Sequence, residues 1–153
     1  MFLSDLLTPQ RIKIPLLGTD KRTVLSELVE LVSGGEQTEF WDIFRAVEER
    51  ERVLSTGIGH GVAVPHGKSE RLREIRIAAG ACPSPVAFEA LDGQPVRLFF
   101  LLIGPQLSNG EDVRALGRIT RLVRREPVRE KLIAARDSQE FHRLLAEAEQ
   151  LVS

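Results

Sequence analysis

The segment that most constrains the fold is a short apolar strand at residues 62–64, which runs directly into Pro65, His66 and Gly67. Pro65 fixes its own φ angle and restricts Val64 to an extended conformation. Gly67 has no side chain, which allows a ligand or partner to approach the imidazole closely. Because imidazole can be neutral and nucleophilic near pH 7, the segment predicts a strand that presents one reactive histidine at its end.

A longer motif surrounds this histidine. Positions 55–67 resemble the active-site segment of the type-2 enzyme IIA proteins of the bacterial phosphoenolpyruvate-dependent phosphotransferase system, whose pattern reads S-T-G-I-G-x-G-[IV]-A-[IV]-P-H-G. Every fixed position matches, and so many residues at defined spacing form a specific motif. In that family the histidine after the proline takes a phosphoryl group from a small histidine phosphocarrier protein. The resemblance therefore implies that His66 is the phosphoacceptor and that Gly67 lies in the binding segment beside it.

Arg50 is the second candidate, at the start of the run R-E-R-V-L-S-T that leads into the motif. The family carries an arginine in a similar R-E-x-x-x-S-T context, so the resemblance implies that Arg50 binds phosphate oxygens, as a guanidinium can do bidentately. The alternative is a solvated arginine paired with neighbouring glutamates on an exposed helix face. Leu54 departs from the family, which usually has glycine there.

The hydroxyl groups of Ser55 and Thr56 allow two interpretations. They can donate hydrogen bonds to His66 or to its phosphoryl group, or they can cap the local turn, as serine and threonine commonly do. Both interpretations stay open at the level of sequence.

Asp112 marks a further departure from the family. Relatives often carry a second histidine on the helix after the long apolar strand, and alignment of that helix places Asp112 at the histidine position. An ionised aspartate near a phosphohistidine repels the phosphoryl charge unless a cation offsets it, and Arg114 and Arg118 are the nearby candidates. The alternative role for Asp112 is to favour the positive end of the helix dipole.

Hydrophobic periodicity predicts strands alternating with helices, and hence an α/β layered domain. The resemblance implies a mixed central β-sheet flanked by helices on both faces, in a single domain over residues 1–153. Strands are predicted at residues 11–16, 62–64, 75–82 (where Pro83 and Pro85 end the strand) and 96–103. Helices are predicted at residues 3–7, from Thr19 or Asp20 to 32, at 38–53, at 108–124 from the capping-box pattern Ser108-x-x-Glu111, after Pro127, and at 139–152.

Composition and charge argue against nucleic-acid binding and against a membrane-spanning protein. The formal charge is −1 over 153 residues, which gives no basic field to attract nucleic acid, and no apolar run is long enough to span a membrane. A single cysteine and the lack of a signal-peptide pattern favour the cytoplasm. The three histidines show no metal-ligand spacing and no Walker-type loop is present, so we expect neither metal nor cofactor.

The resemblance to type-2 enzyme IIA proteins implies a component of the phosphotransferase system. It implies that His66 accepts a phosphoryl group from an HPr-like histidine phosphocarrier and passes it to a IIB-type protein, or that its phosphorylation state regulates a transporter or kinase. The nitrogen-regulatory branch of the family is the most similar. Two alternatives remain: a regulatory binding module of the same fold with little phosphotransfer, favoured by Asp112, and a free-standing fructose- or mannitol-type IIA subunit for sugar uptake.

Overall fold

A mixed six-stranded sheet lies at the centre of the molecule in a computed structural model, which describes residues 2–152. In chain order the elements are α1 (Leu3–Leu6), a 3₁₀ helix (Pro9–Arg11), β1 (Ile12–Lys13), α2 (Lys21–Ser33), α3 (Gln37–Val53), β2 (Gly57–Gly59), β3 (Val62–Ala63), β4 (His66–Ser69), β5 (Arg76–Val86), β6 (Val96–Pro105), α4 (Glu111–Val123), α5 (Glu126–Ile133) and α6 (Ser138–Val152). The alternation of strands and helices confirms the predicted α/β class.

The sheet order is β1-β5-β6-β3-β2, and β4 also pairs with β6. β3 and β4 both run parallel to β6 and follow one another along the same edge, with Ala63 opposite Phe99 and His66 opposite Leu102. They therefore form one strand position, which is interrupted at Val64 and Pro65. His66 begins the second piece, whereas the sequence predicted that it would follow the end of a strand.

Apolar side chains cover both faces of this sheet, as an α/β layered domain requires. On one face α2 and α3 pack through residues such as Leu28 and Val47 against Phe99. On the other face α1, α4, α5 and α6 pack through residues such as Ile119 and Phe141. The helices on both faces confirm the predicted architecture. Among residues 2–152, no helix combines the length and apolar character needed to cross a membrane.

Helix ends follow local sequence signals in α2. Asp20 accepts a hydrogen bond from the backbone N–H of Thr23, whose side chain bonds back to Asp20, so a reciprocal capping box begins the helix. Gly34 ends it with a φ of 64°, in the left-handed region that glycine adopts without strain. Both ends lie within one or two residues of the prediction.

Two strands differ from their predicted bounds. β5 continues through Pro83 and Pro85 to Val86, because the register with β6 shifts between Ala81 and Val86 and the prolines sit in the bulge, where no ladder N–H is needed. β1 is limited to Ile12–Lys13, and Pro15 just beyond it cannot donate to a ladder.

The predicted capping box of α4 is also wrong. The N-cap is Gly110, which makes no side-chain cap, and the helix begins at Glu111. The hydroxyl of Ser108 instead donates to the side chain of Asp112 inside the helix, and its oxygen accepts the backbone N–H of the N-cap residue Gly110 at 3.0 Å.

Candidate functional site

The imidazole of His66 is held by the carbonyl group two residues before it. Its Nδ1 atom lies 2.9 Å from the carbonyl oxygen of Val64. A carbonyl oxygen only accepts hydrogen bonds, so Nδ1 carries the proton and the neutral ring has its lone pair on Nε2. Directly before the histidine, the carbonyl oxygen of Pro65 accepts a hydrogen bond of 3.0 Å from the backbone N–H of Leu102 in β6. The sheet and the Val64 carbonyl together orient a potential nucleophile.

His66 lies in the wall of an open cleft of about 630 Å³ between α3, β4 and α4. The lining includes four of the residues singled out from the sequence: His66, Arg50, Gly67 and Asp112. Three separate elements supply them, so the fold brings together side chains that are up to 62 positions apart (Arg50 to Asp112). Lys68 lies in the same wall and adds a second positive charge.

Arg50 projects from the last turn of α3. Its Nη1 donates a hydrogen bond of 2.7 Å to the carbonyl oxygen of Leu54, which holds the guanidinium at the edge of the cleft. That bond uses one of the five N–H donors of the group. Leu54 has a φ of −166°, an extended backbone that any residue adopts, so the missing glycine of the family pattern leaves this turn unstrained.

Gly67 lies where the space for a side chain is tight. A Cβ atom at this position would lie 3.3 Å from backbone atoms of Ala46 and Val47 and 3.3 Å from the side chain of Ile103. The glycine therefore allows β4 to lie close against α3. This close approach places His66 and Lys68, on either side of Gly67, beside the helix that carries Arg50.

Asp112 contributes a negative charge to the cleft. Its Oδ1 accepts a hydrogen bond of 2.5 Å from the hydroxyl of Ser108, and this bond is the main cause that lowers the pKa of the carboxyl, with a smaller contribution from the positive charge of Lys68. Asp112 is consequently ionised at neutral pH. The cation that faces it is Lys68, whereas Arg118 pairs with Glu149 at 3.6 Å.

Comparison with known proteins assigns the family. Residues 5–148 match the family described as "Phosphoenolpyruvate-dependent sugar phosphotransferase system, EIIA 2". The chain belongs to this EIIA 2 family. It is 37% identical over 150 residues to a nitrogen regulatory protein of Bradyrhizobium diazoefficiens, covering 95% of each chain. It is 34% identical over 136 residues to the fructose-specific EIIABC component of Bacillus subtilis, covering 88% of this chain and 21% of that protein.

Solved structures agree with the EIIA 2 assignment. The nitrogen regulatory protein IIA-Ntr of Neisseria meningitidis superposes with a TM-score of 0.84 at 27% identity, covering 94% of this chain and 98% of that one. The mannitol IIA of Escherichia coli superposes with a TM-score of 0.75 at 21% identity, covering 90% and 97%, and shows the shared fold. The predicted relation to type-2 enzyme IIA proteins, with nitrogen regulatory proteins among the similar ones, is confirmed.

Two residues of the EIIA 2 motif lie outside the cleft. Ser55 donates its hydroxyl proton to the carbonyl oxygen of Phe88 at 3.0 Å and accepts the N–H of Gly57 at 3.1 Å. It lines a second cavity on the far side of α3, of about 450 Å³. The side chain of Thr56 is buried, and its Oγ1 makes no hydrogen bond with any residue in the range 2–152. Local turn capping therefore describes Ser55, and neither hydroxyl bonds to His66.

Sequence reasoning missed Lys68 in this EIIA 2 site. The signal was available, because side chains two positions apart on a strand point to the same face, and Lys68 follows His66 at that spacing. It also missed the apolar rim of the cleft, formed by Val53, Val113 and Leu116. Those residues come from two helices that only the tertiary fold places opposite each other.

Proposed function

We propose that this EIIA 2 protein is a phosphoryl carrier that accepts a phosphoryl group on Nε2 of His66. The observation that carries the proposal is the 2.9 Å contact between Nδ1 of His66 and the carbonyl oxygen of Val64. It leaves Nε2 as the nitrogen with a free lone pair, and His66 lines an open cleft that a protein donor can reach. Membership of the EIIA 2 family supplies the reaction class.

The reaction exchanges one phosphorus–nitrogen bond for another. The lone pair on Nε2 of His66 forms a bond to phosphorus while the bond between phosphorus and the donor histidine breaks and returns its electron pair to the donor nitrogen. The proton on Nδ1 stays in its hydrogen bond to Val64, which stabilises the developing positive charge on the ring. In the next transfer a nucleophilic atom of the acceptor protein bonds to phosphorus while the bond between phosphorus and Nε2 breaks and returns its electron pair to Nε2. The protein therefore carries the group without consuming a small substrate.

Positive charge at the cleft holds the phosphoryl oxygens. Arg50 retains guanidinium donors beyond the one bonded to Leu54, and Lys68 lies in the same wall as His66. Phosphoryl transfer depends mainly on positioning and on electrostatic stabilisation of the equatorial oxygens, which these two cations provide. Arg50 is the stronger candidate because its planar fork matches two phosphoryl oxygens at once.

The partners follow from the family chemistry. The donor is an HPr-like histidine phosphocarrier, and the acceptor is a IIB-type protein or a transporter or kinase that responds to the phosphorylation state. The Bradyrhizobium diazoefficiens relative, which is 37% identical and matches over 95% of its length, is a nitrogen regulatory protein, and this favours a regulatory role over a sugar-uptake subunit. The work of the protein then takes place in the cytoplasm, where the carrier proteins reside.

Asp112 favours a second candidate function, a regulatory binding module with little phosphotransfer. Its ionised carboxylate lines the same cleft as His66 and repels a phosphoryl group. In this alternative the unphosphorylated surface binds the regulated partner. The rate of phosphorylation distinguishes the two functions.

The deciding experiment is intact mass after incubation with phosphoenolpyruvate, enzyme I and a histidine phosphocarrier from the source organism. We expect the wild type to gain one acid-labile phosphoryl group and His66→Ala to gain none. His60→Asn is the matched control, because His60 is exposed with a φ of 58° that asparagine tolerates. If the wild type gains no mass although the same donor phosphorylates another IIA protein, the carrier function is contradicted. The regulatory binding module then becomes the favoured function.

A further inference from the structure

A buried carboxylate lies one helical turn beyond the apolar stripe of α3. Ile43, Val47 and Glu51 follow at four-residue spacing, and Glu51 is only 7% exposed. Its two oxygens accept the backbone N–H of Thr56 at 3.2 and 2.9 Å. The Nζ atom of Lys21 lies 3.4 Å from the same carboxylate, at the second cavity. The charge is therefore paired, and both carboxylate oxygens also bind the beginning of the histidine motif at Thr56.

Hydrogen bonds connect this carboxylate to the imidazole. The carbonyl oxygen of Thr56 accepts the backbone N–H of Val64 at 2.9 Å. The carbonyl oxygen of Val64 in turn accepts Nδ1 of His66 at 2.9 Å. Three consecutive links thus run from Glu51 through Thr56 and Val64 to His66, and each residue in the middle is held on both sides.

The position of Val64 depends on this connection because of the interruption in the sheet. β3 ends at Ala63 and β4 begins at His66, so Val64 lies between the two ladders with β6. Its N–H bonds to Thr56 rather than to β6. The residue whose carbonyl oxygen selects the tautomer of His66 therefore has its N–H bonded to Thr56, and the N–H of Thr56 is in turn bonded to Glu51.

We propose that Glu51 is a positioning residue for phosphoryl acceptance by His66. Through Thr56 and Val64 it holds the carbonyl oxygen that keeps the proton on Nδ1 and the lone pair on Nε2. The effect on reaction rate rests on the proposed function, whereas the effect on the tautomer of His66 does not. The two parts can consequently fail separately.

Glu51→Gln tests the carboxylate with little change of volume. Glutamine has one oxygen acceptor and one NH₂ donor in place of two acceptors. If its oxygen meets the N–H of Thr56, its NH₂ group faces the ammonium of Lys21, and the opposite orientation places two donors against each other at Thr56. Either orientation weakens the hold on Thr56. Glu48→Gln is the matched control, because Glu48 lies on the same helix and cavity but pairs with Arg22 and Arg52.

The first measurement is the ¹⁵N NMR spectrum of the histidine side chains, with His66→Gln used to assign the signals. We expect the wild type and Glu48→Gln to show His66 with the proton on Nδ1. In Glu51→Gln we expect the fraction of this tautomer to fall by about a factor of two. No phosphoryl donor is involved, so this result stands even if the wild type accepts no phosphoryl group.

The second measurement is the rate of phosphoryl acceptance from the charged phosphocarrier, with saturation separating kcat from KM. We expect Glu51→Gln to lower kcat about tenfold with little change in KM, since Glu51 does not line the cleft of His66 and only the nucleophile is misplaced. Glu51→Asp serves if glutamine prevents folding: it keeps the charge opposite Lys21 but is one methylene too short to reach Thr56. A folded Glu51 variant with the wild-type tautomer and rate would overturn the proposal.

Discussion

The hydroxyl oxygen of Ser108 lies 2.5 Å from Oδ1 of Asp112, inside the turn that begins α4. This contact stabilises a carboxylate in the same cleft as the motif histidine, His66. A carboxylate so held stays ionised well below neutral pH. A residue pair outside the histidine motif therefore supplies a negative charge to a cleft that Arg50 and Lys68 also line.

Removal of the Ser108 hydroxyl should raise the pKa of Asp112. The hydrogen bond favours the charged carboxylate, so Ser108→Ala loses the largest cause of the lowered pKa of Asp112. Ser108→Thr keeps a hydroxyl group and should keep this pKa low. A carboxyl ¹³C titration measures the change. Because a lowered folded-state pKa adds stability above the unfolded-state pKa and loses it as pH falls, Ser108→Ala should also reduce the acid sensitivity of unfolding. An unchanged titration would contradict this explanation.

Replacement of Asp112 should accelerate phosphoryl acceptance by His66. Asp112→His restores the residue type of the family and Asp112→Asn removes only the charge. We expect both variants to react about tenfold faster, which corresponds to roughly 1.4 kcal/mol of repulsion removed from the transition state. The measurement is the initial rate of mass gain with a charged phosphocarrier. Equal rates in all three proteins would show that Lys68 already neutralises the carboxylate.

Removal of the guanidinium at the cleft should slow the same reaction strongly. We expect Arg50→Gln to lower kcat about a hundredfold, as the loss of one preorganised donor to a developing oxyanion does. Arg52→Gln is the control, since Arg52 lies two positions along α3 at the second cavity and pairs with Glu48. Comparable losses in both variants would indicate a general effect of helix charge instead of a phosphate contact.

The N-terminal helix should depend on a buried carboxylate in α6. Glu149 is 1% exposed, and its oxygens accept the backbone N–H groups of Leu3 and Ser4 at 2.6 and 2.8 Å. Glu149→Gln should lower the free energy of unfolding by about 1–3 kcal/mol and speed amide hydrogen exchange at Leu3 and Ser4. Denaturant unfolding and exchange NMR measure both effects.

The control for this prediction is Glu147→Gln. Glu147 lies on the same helix, but its side chain is 58% exposed and pairs only at the surface with Arg143. Surface ion pairs of this kind add little stability, so we expect a change of less than about 1 kcal/mol. A similar loss of stability in both variants would mean that the substitutions lower the helix propensity of α6, and that the loss does not come from the contact between α6 and α1.

Much of the local structure was predictable because its causes lie within a few residues. Helix α2 begins at the capping box of Asp20 and ends at Gly34, which adopts the left-handed conformation, and both signals can be recognised from neighbouring residues alone. The bulge at Pro83 and Pro85 was not predicted, since the tolerance of a proline depends on whether the neighbouring strand needs its N–H group.

The family, the α/β architecture and the candidate His66 could be predicted from the residues alone, because a motif and hydrophobic periodicity are local patterns. The groups that surround that histidine became known from the folded structure. It turned Ser55 to the carbonyl of Phe88, buried Glu51 against Thr56, and placed Lys68 in the same cleft as Asp112. These contacts join residues from different elements, and their partners are selected by packing of α3 and α4 around the sheet.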